Sequence, residues 1–292
     1  MKKNEQVDRP NLRLMSVHAH PDDESSKGAA TLAHYAAHGV EVTVVTCTGG
    51  ERVDVLNPLL DTPEVRARLP ELRKQEMAAA AAVLGVRHRF LGFTDSGLPG
   101  EGEPLPPDCF AREEVPAAAE RLVQAIREVR PQVVITYDES GGYPHPDHIQ
   151  THRVTTEAFE AAGDPDRYPQ AGPAWQPLKL YYQVAFSRAW FATLHRGMIS
   201  QGVPSGMGEV LDHWPDWAPD LSPTTRIDCA EHFATRDRAF RAHATQAAPD
   251  NPFFSHPRDL ERALWPTEDY VLARSRIAAR LPETNLFAGI GE

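Results

Sequence analysis

Apolar and polar positions along the first 184 residues predict strands that alternate with helices. Apolar runs of strand length occupy five stretches, at about 12–18, 40–46, 88–93, 132–137 and 178–184. Helices are predicted between them at Ser25 to His38, Leu69 to Leu84 and Pro116 to Val129. This alternation predicts an α/β fold, with a Rossmann-like, doubly wound, mainly parallel sheet and helices on both faces.

The periodic pattern weakens after about residue 185. One helix-like run remains, at 231–245, and four of the tryptophans lie among prolines, at Trp190, Trp214, Trp217 and Trp265. We expect residues 1–184 to form a catalytic core, and residues 185–292 to form an elaborated C-terminal region that completes the substrate pocket in the same domain. The segments 52–68 and 98–110 are predicted to be an insertion and a loop near the rim of the pocket.

Composition limits the classes of partner. The formal net charge is −11 and the pI is about 5.6, without a basic stripe, which argues against nucleic acid or an anionic membrane as the partner. The polar start lacks the apolar region of a signal peptide, and no later run is apolar enough to span a bilayer, so we expect a cytoplasmic protein. Three widely spaced cysteines predict neither disulfides nor a thiolate zinc site.

Polar clusters follow the first four predicted strands. They lie at His20 to Glu24, Thr48 to Glu51, Thr94 to Gly97 and Tyr143 to His148. Ligands of a doubly wound sheet bind at the carboxyl ends of its strands, so all four clusters are expected to line one crevice. A small molecule is the expected occupant.

The first and fourth clusters contain histidines and aspartates, the residue types that bind zinc. Catalytic zinc takes three imidazole or carboxylate ligands and a water, and His20, Asp23 and His148 would supply such a set. Asp22 is then the candidate general base. Taken alone, the first cluster also fits an acidic helix start, and the Pro-Asp of the fourth also fits ordinary capping. Their joint occurrence after two strands favours the metal site.

Five motifs along the chain resemble one known family. They are Ala19 to Gly28, Thr46 to Arg52, Asp95 to Gly97, Gly141 to His148 and His243 to Gln246. The sequence resembles the LmbE/PIG-L family of zinc-dependent N-acyl deacetylases and amidases. Within the family it resembles most the branch of the mycothiol S-conjugate amidases and of the enzymes that deacetylate glucosaminyl inositol.

The resemblance implies roles residue by residue. It assigns one Zn²⁺ per chain to His20, Asp23 and His148 and makes Asp22 the base, in agreement with the chemistry above. It adds Tyr143 and His145, which would face the developing oxyanion.

The resemblance also implies a set of substrate-binding residues: Lys27, Glu51, Arg73, Asp95 and His243. On the residues alone, Arg73 and Glu76 could equally form a surface ion pair, and Lys27 fits a solvated helix charge. The other histidines, including His18, His34, His38 and His88, are interpreted as structural or surface residues.

These observations predict a zinc amidase that cleaves the amide of an N-acyl glucosamine derivative. The leading substrate is a mycothiol or bacillithiol S-conjugate in thiol-dependent detoxification. The alternative is deacetylation of N-acetylglucosaminyl inositol or malate in the biosynthesis of such thiols. Oligomeric state is left open.

A dinucleotide-binding oxidoreductase is disfavoured because the acidic first turn replaces the Gly-x-Gly-x-x-Gly motif. A structural metal protein would need four protein ligands.

Overall fold

The computed structural model describes residues 11–100, 102–184, 186–218, 221–249, 251, 254 and 256–291. Seven strands are found in these ranges: β1 Arg13–His18, β2 Glu41–Thr48, β3 Arg87–Phe93, β4 Val133–Thr136, β5 Lys179–Gln183, β6 Thr225–Asp228 and β7 Thr267–Ser275. They form one sheet in the order β3-β2-β1-β4-β5-β7-β6. The five predicted strands are confirmed to within two residues at each end.

The helices of the same ranges surround this sheet. They are α1 Asp23–Ser26, α2 Ala29–Ala37, α3 Pro63–Ala67, α4 Leu69–Leu84, α5 Val115–Val129, α6 Pro146–Ala161, α7 Arg188–Ser200, α8 Met207–Asp212, α9 Phe233–Ala242 and α10 Arg258–Leu264. None of them is long and apolar enough to cross a membrane. The predictions for α4 and α5 are confirmed, and the run 231–245 contains α9.

The prediction of one helix over Ser25 to His38 was wrong. Two helices, α1 and α2, occupy this stretch and are separated at Gly28, whose φ is +82°. A Cβ at this position would lie 2.5 Å from Nε2 of Gln183 on β5. Only glycine combines this left-handed backbone with so close an approach, so the chain turns sharply after α1.

The C-terminal region adds two strands that the sequence pattern did not predict. β1 to β5 pair in parallel, whereas β7 pairs antiparallel with both β5 and β6. β7 begins with three polar residues, which obscure its strand pattern. One of them, Glu268, accepts hydrogen bonds from the backbone N–H groups of Ala30 (3.2 Å) and Thr31 (2.7 Å) at the start of α2.

Two apolar layers cover the faces of the sheet. Met15 and Val17 of β1 pack on one face with α5 and α6, and Leu14 packs on the other with α2 and α4. The segment after β7 is anchored by buried Glu283, which accepts hydrogen bonds from Nζ of Lys179 and the hydroxyl of Tyr181, both at 2.6 Å. The mainly parallel, doubly wound α/β fold is confirmed, with helices on both faces.

The strand order fixes where ligands can bind. β1 and β4 are neighbours in the sheet. The chain continues from β1 to β2 on one side and from β4 to β5 on the other side. The carboxyl ends of β1 and β4 therefore flank a crevice at the topological switch point. The turn after β1 and the loop between β4 and α6 meet in this crevice.

Candidate metal centre and active site

The turn after β1 is held in a conformation that is costly for its sequence. Asp22 has φ of +98°, in the left-handed region that non-glycine residues seldom adopt. Such a backbone costs about 1–3 kcal/mol and persists where its surroundings impose it. The Asp22 N–H donates to Oε2 of Glu24 at 3.0 Å, and the next residue, Asp23, opens α1. The turn therefore points the side chains of Asp22 and Asp23 in different directions.

Two imidazoles converge on one oxygen of Asp23. Oδ2 of Asp23 lies 3.5 Å from Nδ1 of His20 and 3.3 Å from Nε2 of His148, and all three side chains are buried. Nδ1 of His148 donates to the carbonyl of Gly141 at 3.0 Å, so its Nε2 keeps a free lone pair. That nitrogen is buried without a hydrogen-bond partner.

The far side of the His20 ring is also fixed. Nε2 donates to Oδ2 of Asp147 at 3.2 Å and lies 3.4 Å from Oδ1 of Asp95. Burial alone would lower the pKa of His20, but the hydrogen bonds with Asp147, Asp23 and Asp95 outweigh it and raise the pKa well above its usual value. The site therefore favours positive charge at this position.

These distances fit a tetrahedral metal ion. Zinc bound at about 2.0–2.2 Å places neighbouring ligand atoms roughly 3.3–3.6 Å apart, which matches the two separations at Asp23. The unpartnered Nε2 of His148 is the kind of donor that an ion would satisfy. The ligand set His20, Asp23 and His148 stays a prediction, which these two separations support.

Other groupings in the crevice are close enough to share an ion, and they differ from the predicted set. They are His20 with His145 and His148, and His20 with Asp95 and Asp147. Nδ1 of His145 accepts from the Asp147 N–H at 3.2 Å, so the proton of the neutral ring is on Nε2. Burial lowers the pKa of His145 to about 3, which keeps the ring neutral. A protonated Nε2 suits a donor better than a ligand.

Arg73 lies beneath the candidate base. Its guanidinium, 1% exposed, donates from Nη1 to Oδ2 of Asp22 at 3.2 Å and from Nη2 to the carbonyl of Pro21 at 2.7 Å. Burial raises the pKa of Asp22, and the charge of Arg73 acts against that rise. The surface pair of Arg73 with Glu76 is not formed, because Glu76 instead accepts from the N–H and hydroxyl of Thr245.

Lys27 is not a solvated helix charge. Its side chain is 14% exposed, and Nζ donates to Oδ1 of Asp23 at 2.5 Å. Nζ also lies 5.7 Å from the ring centroid of Tyr143. The Tyr143 ring packs edge-on against His148, with centroids 4.5 Å apart. Lys27 and Tyr143 thus form one wall of the crevice beside Asp23 and His148.

Two of the remaining predicted substrate residues, Asp95 and His243, are held in buried hydrogen bonds. Asp95 is fully buried, and its carboxylate accepts from the N–H groups of Gly97 (2.8 Å) and Arg52 (3.1 Å). His243, also fully buried, bonds through Nε2 to Oε1 of Glu24 at 2.7 Å. Oε1 of Glu51 accepts from the Asp95 N–H at 3.2 Å, and its Oε2 has no hydrogen-bond partner.

Sequence reasoning gave no role to Asp147. This fully buried carboxylate accepts from both His20 Nε2 and the Ser96 N–H, the latter at 2.8 Å. It therefore links the first, third and fourth polar clusters. The available signal was its position between two histidines, which resembles an ordinary acidic first turn of a helix.

A buried histidine and carboxylate cluster at the carboxyl ends of a doubly wound sheet is typical of an enzyme active site and could hold a metal ion. The family model PIG-L, described as GlcNAc-PI de-N-acetylase, matches residues 15–159. The chain belongs to the PIG-L (LmbE) family, and the predicted class of amidase or deacetylase is confirmed.

Full-length relatives support this placement. The chain is 51% identical to the mycothiol S-conjugate amidase of Streptomyces coelicolor, over 96% of this chain and 97% of that protein. It is 41% identical to the 1D-myo-inositol 2-acetamido-2-deoxy-alpha-D-glucopyranoside deacetylase of Streptomyces avermitilis, over 97% and 99% of the two chains.

Solved structures show the same fold at low sequence identity. The N,N'-diacetylchitobiose deacetylase of Pyrococcus horikoshii matches with a TM-score of 0.61 at 17% identity, over 89% of this chain and 83% of that one. GalB of Pseudomonas putida, a 4-carboxy-2-hydroxymuconate hydratase, matches with a TM-score of 0.61 at 19% identity, over 92% and 99%. The fold alone therefore does not determine the reaction.

Proposed function

We propose that this chain is a zinc-dependent amidase that cleaves the glucosamine amide of a mycothiol S-conjugate. The proposed ligands are His20, Asp23 and His148. The observation that carries the proposal is the convergence of two imidazoles on one oxygen of Asp23, one of them through a nitrogen without any other partner. The relative that is 51% identical supplies the substrate class.

When bound, zinc supplies a Lewis acid that polarises the amide carbonyl and lowers the pKa of water. Asp22 is proposed to take the proton of the attacking water. Its carboxyl is 21% exposed, so it is reachable from the crevice, and Arg73 holds one of its oxygens. The raised pKa of Asp22, caused by burial, moves this base toward the working pH and suits later proton delivery to the leaving amine.

His145 and Tyr143 are proposed to stabilise the oxyanion. The Nδ1 of His145 is occupied by the Asp147 N–H, which leaves Nε2–H to donate to developing negative charge. Burial raises the pKa of Tyr143 well above its usual value, so its hydroxyl remains a donor. Each such donor contributes on the order of a hundredfold or more in rate.

Two kinds of substrate residue are proposed. Glu51 offers an unpartnered Oε2 that suits a sugar hydroxyl, and Lys27 lies in the wall beside Tyr143. Arg73, Asp95 and His243 also belong to the proposed set, and their burial supports action mainly through the neighbours that they position. Asp95 contacts His20, and Arg73 holds Asp22.

The C-terminal region is proposed to complete the substrate pocket. A pocket beside the active-site turn is lined on one side by Ser26 and Lys27, and on the other by Trp190 and Trp265. Gln183 also lines it, and Oε1 of this buried side chain has no hydrogen-bond partner. The aromatic residues of this lining suit the bulky sulfur substituent of a conjugate, and charged residues such as Arg236 and Glu261 lie among them.

The second candidate function is deacetylation of N-acetylglucosaminyl inositol. It is supported by relatives near 41% identity that carry this activity in their names. Both reactions hydrolyse an amide on the same amino sugar, and they differ in the acyl group that leaves. The pocket on the C-terminal side favours the larger acyl group.

A direct comparison of substrates tests the proposal. Zinc-loaded protein is assayed for release of the free amine from an S-alkylated mycothiol, an S-alkylated bacillithiol and N-acetylglucosaminyl inositol. We expect kcat/KM for the mycothiol conjugate to exceed that for the acetylated sugar at least tenfold. A reversed ratio would support the deacetylase instead, and the His148→Ala variant, which removes a proposed ligand, controls for contaminating hydrolases.

A further inference from the structure

Three histidines form a second cluster, away from the active-site crevice. His34 lies on α2 and His38 follows the end of that helix, one turn later. His232 ends the short 3-10 turn Ala230–His232, directly before α9. One ligand nitrogen from each of the three rings lies within 4.8 Å of the other two.

The ring nitrogens of this cluster are prepared to bind an ion. Nδ1 of His38 donates to the carbonyl of His34 at 2.7 Å, so its Nε2 keeps a free lone pair. Nδ1 of His34 and Nε2 of His232 are buried atoms without a hydrogen-bond partner. Both face Oε1 of Glu231, at 3.6 Å and 3.3 Å.

We propose that His34, His38 and His232 bind a second zinc ion, with Glu231 as the fourth ligand. Imidazole nitrogens select zinc and neighbouring transition metals over magnesium or calcium. The Glu231 side chain is 66% exposed, and its Oε1 already lies beside the rings of His34 and His232. Four protein ligands close the coordination sphere, which is the pattern of a structural site and not of a catalytic one.

The three rings also lie close to one another. The ring centroids of His34 and His38 are 4.3 Å apart, and those of His34 and His232 are 5.7 Å apart.

The second ion would join two elements that support the active site. α2 begins directly after the turn that contains Lys27, and α9 leads into His243, the partner of Glu24. His38 lies roughly 14 Å along the helix from Ala29 at 1.5 Å per residue, so the two sites are separate. Zinc at this position would tie α2 to the start of α9.

Zinc stoichiometry tests the second site. Protein stripped with a chelator and titrated with Zn²⁺ is expected to bind two equivalents, and the His34→Ala/His232→Ala double variant is expected to bind one fewer than the unmodified chain. His213→Ala removes an exposed histidine outside the cluster and should leave the count unchanged. Equal counts in the unmodified chain and the double variant overturn the proposal.

Two further measurements keep the result interpretable. Glu231→Gln, a surface change that leaves folding intact, should weaken the second equivalent about tenfold or more. Added Zn²⁺ should raise the melting temperature of the His148→Ala variant but not that of His148→Ala combined with His34→Ala/His232→Ala. An equal zinc-induced rise in melting temperature in these two proteins overturns the second site. If the proposed active-site ligands are wrong, the His148→Ala variant will instead still bind two equivalents of zinc.

Discussion

Lys27 and the imidazole of His148 lie against opposite oxygens of the same carboxylate. Nζ of Lys27 donates to Oδ1 of Asp23 at 2.5 Å, and Nε2 of His148 lies 3.3 Å from Oδ2. The two contacts fix which oxygen of Asp23 faces the candidate ion. Burial alone would raise the pKa of Asp23, but His148 and Lys27 outweigh it and hold the pKa well below its usual value.

Replacement of Lys27 by methionine is expected to tighten zinc binding at the active site. The ammonium neutralises part of the charge on Asp23, and its removal leaves that charge to the ion. Competition with a chromophoric chelator measures the dissociation constant, with Lys74→Met, an exposed lysine of α4, as the matched control. Weaker zinc binding in Lys27→Met would mean that Lys27 serves chiefly to orient Asp23.

Asp22→Asn is expected to keep zinc and lose activity. Asparagine tolerates the left-handed backbone at this position and retains an oxygen for Arg73, but it cannot accept a proton. Loss of a general base lowers kcat by about 10²–10⁴-fold. Elemental analysis measures the zinc content, and steady-state kinetics on the same sample measure the activity. Activity within tenfold of the unmodified enzyme would show that Asp22 is not the general base.

Trp190→Ala is expected to change substrate preference without disabling the chemistry. Trp190 lines the pocket next to Lys27, so its loss should lower kcat/KM for a conjugate with a large aromatic sulfur substituent by about tenfold. The S-methyl conjugate should change less than threefold. Trp217→Ala, which removes a tryptophan outside this pocket's lining, is the control, and equal losses on both substrates would argue against the pocket.

Acid should destabilise the protein partly through Glu261. This buried carboxylate contacts Arg236 at 2.7 Å, Arg258 at 2.8 Å and His256 at 3.0 Å. Burial alone would raise its pKa, but His256 and Arg236 outweigh it and lower the pKa from 4.5 to about 2. A lowered folded-state pKa stabilises the protein above pH 4.5, and this contribution is lost as pH falls toward 2.

The contribution of Glu261 is on the order of 3 kcal/mol near neutral pH. Glu261→Gln should therefore unfold at lower denaturant concentration at pH 7, and its stability should fall less between pH 5 and pH 3. Chemical denaturation at several pH values measures both effects. Asp259→Asn, at an exposed position of α10, provides the control for loss of one charge.

Glu283→Ala is expected to cost about 3–5 kcal/mol of unfolding free energy. It would leave the ammonium of Lys179 buried without its partner, and uncompensated buried charge is strongly destabilising. The double variant with Lys179→Met should recover part of the loss because it removes the stranded charge. Denaturant melts of the three proteins measure this, and a double variant no more stable than Glu283→Ala would contradict the explanation.

The sequence predicted the parallel half of the sheet because four of its strands, β1, β2, β4 and β5, are largely apolar and buried on both faces. The edge strand β3 is partly exposed. The sequence did not predict β6 and β7, whose polar residues are used in specific contacts, as with Glu268 at the start of α2. It also missed the break at Gly28, since the reason for that break is the approach of Gln183, 155 residues later.

The sequence predicted only those parts of the site that lie within short motifs. His20, Asp23 and His148 were named from chemistry and spacing, and both imidazoles lie beside Asp23, while their role as ligands stays a prediction. The contacts between clusters were not predictable, because the bond from Asp147 to His20 and that from Glu24 to His243 join residues more than a hundred positions apart. The His34, His38 and His232 cluster was missed for the same reason.

The antiparallel end of the sheet gives the molecule two parts with different proposed tasks. The proposed ligands and base all come from residues 20–148, whereas the wall opposite Lys27 comes from residues after 182. A change in the second part alters which molecule is accepted while the bond-breaking groups stay in place. Exchange of the region after β5 between relatives, with the contacts of His243 and Glu268 kept, is therefore a practical route to enzymes with new substrate ranges.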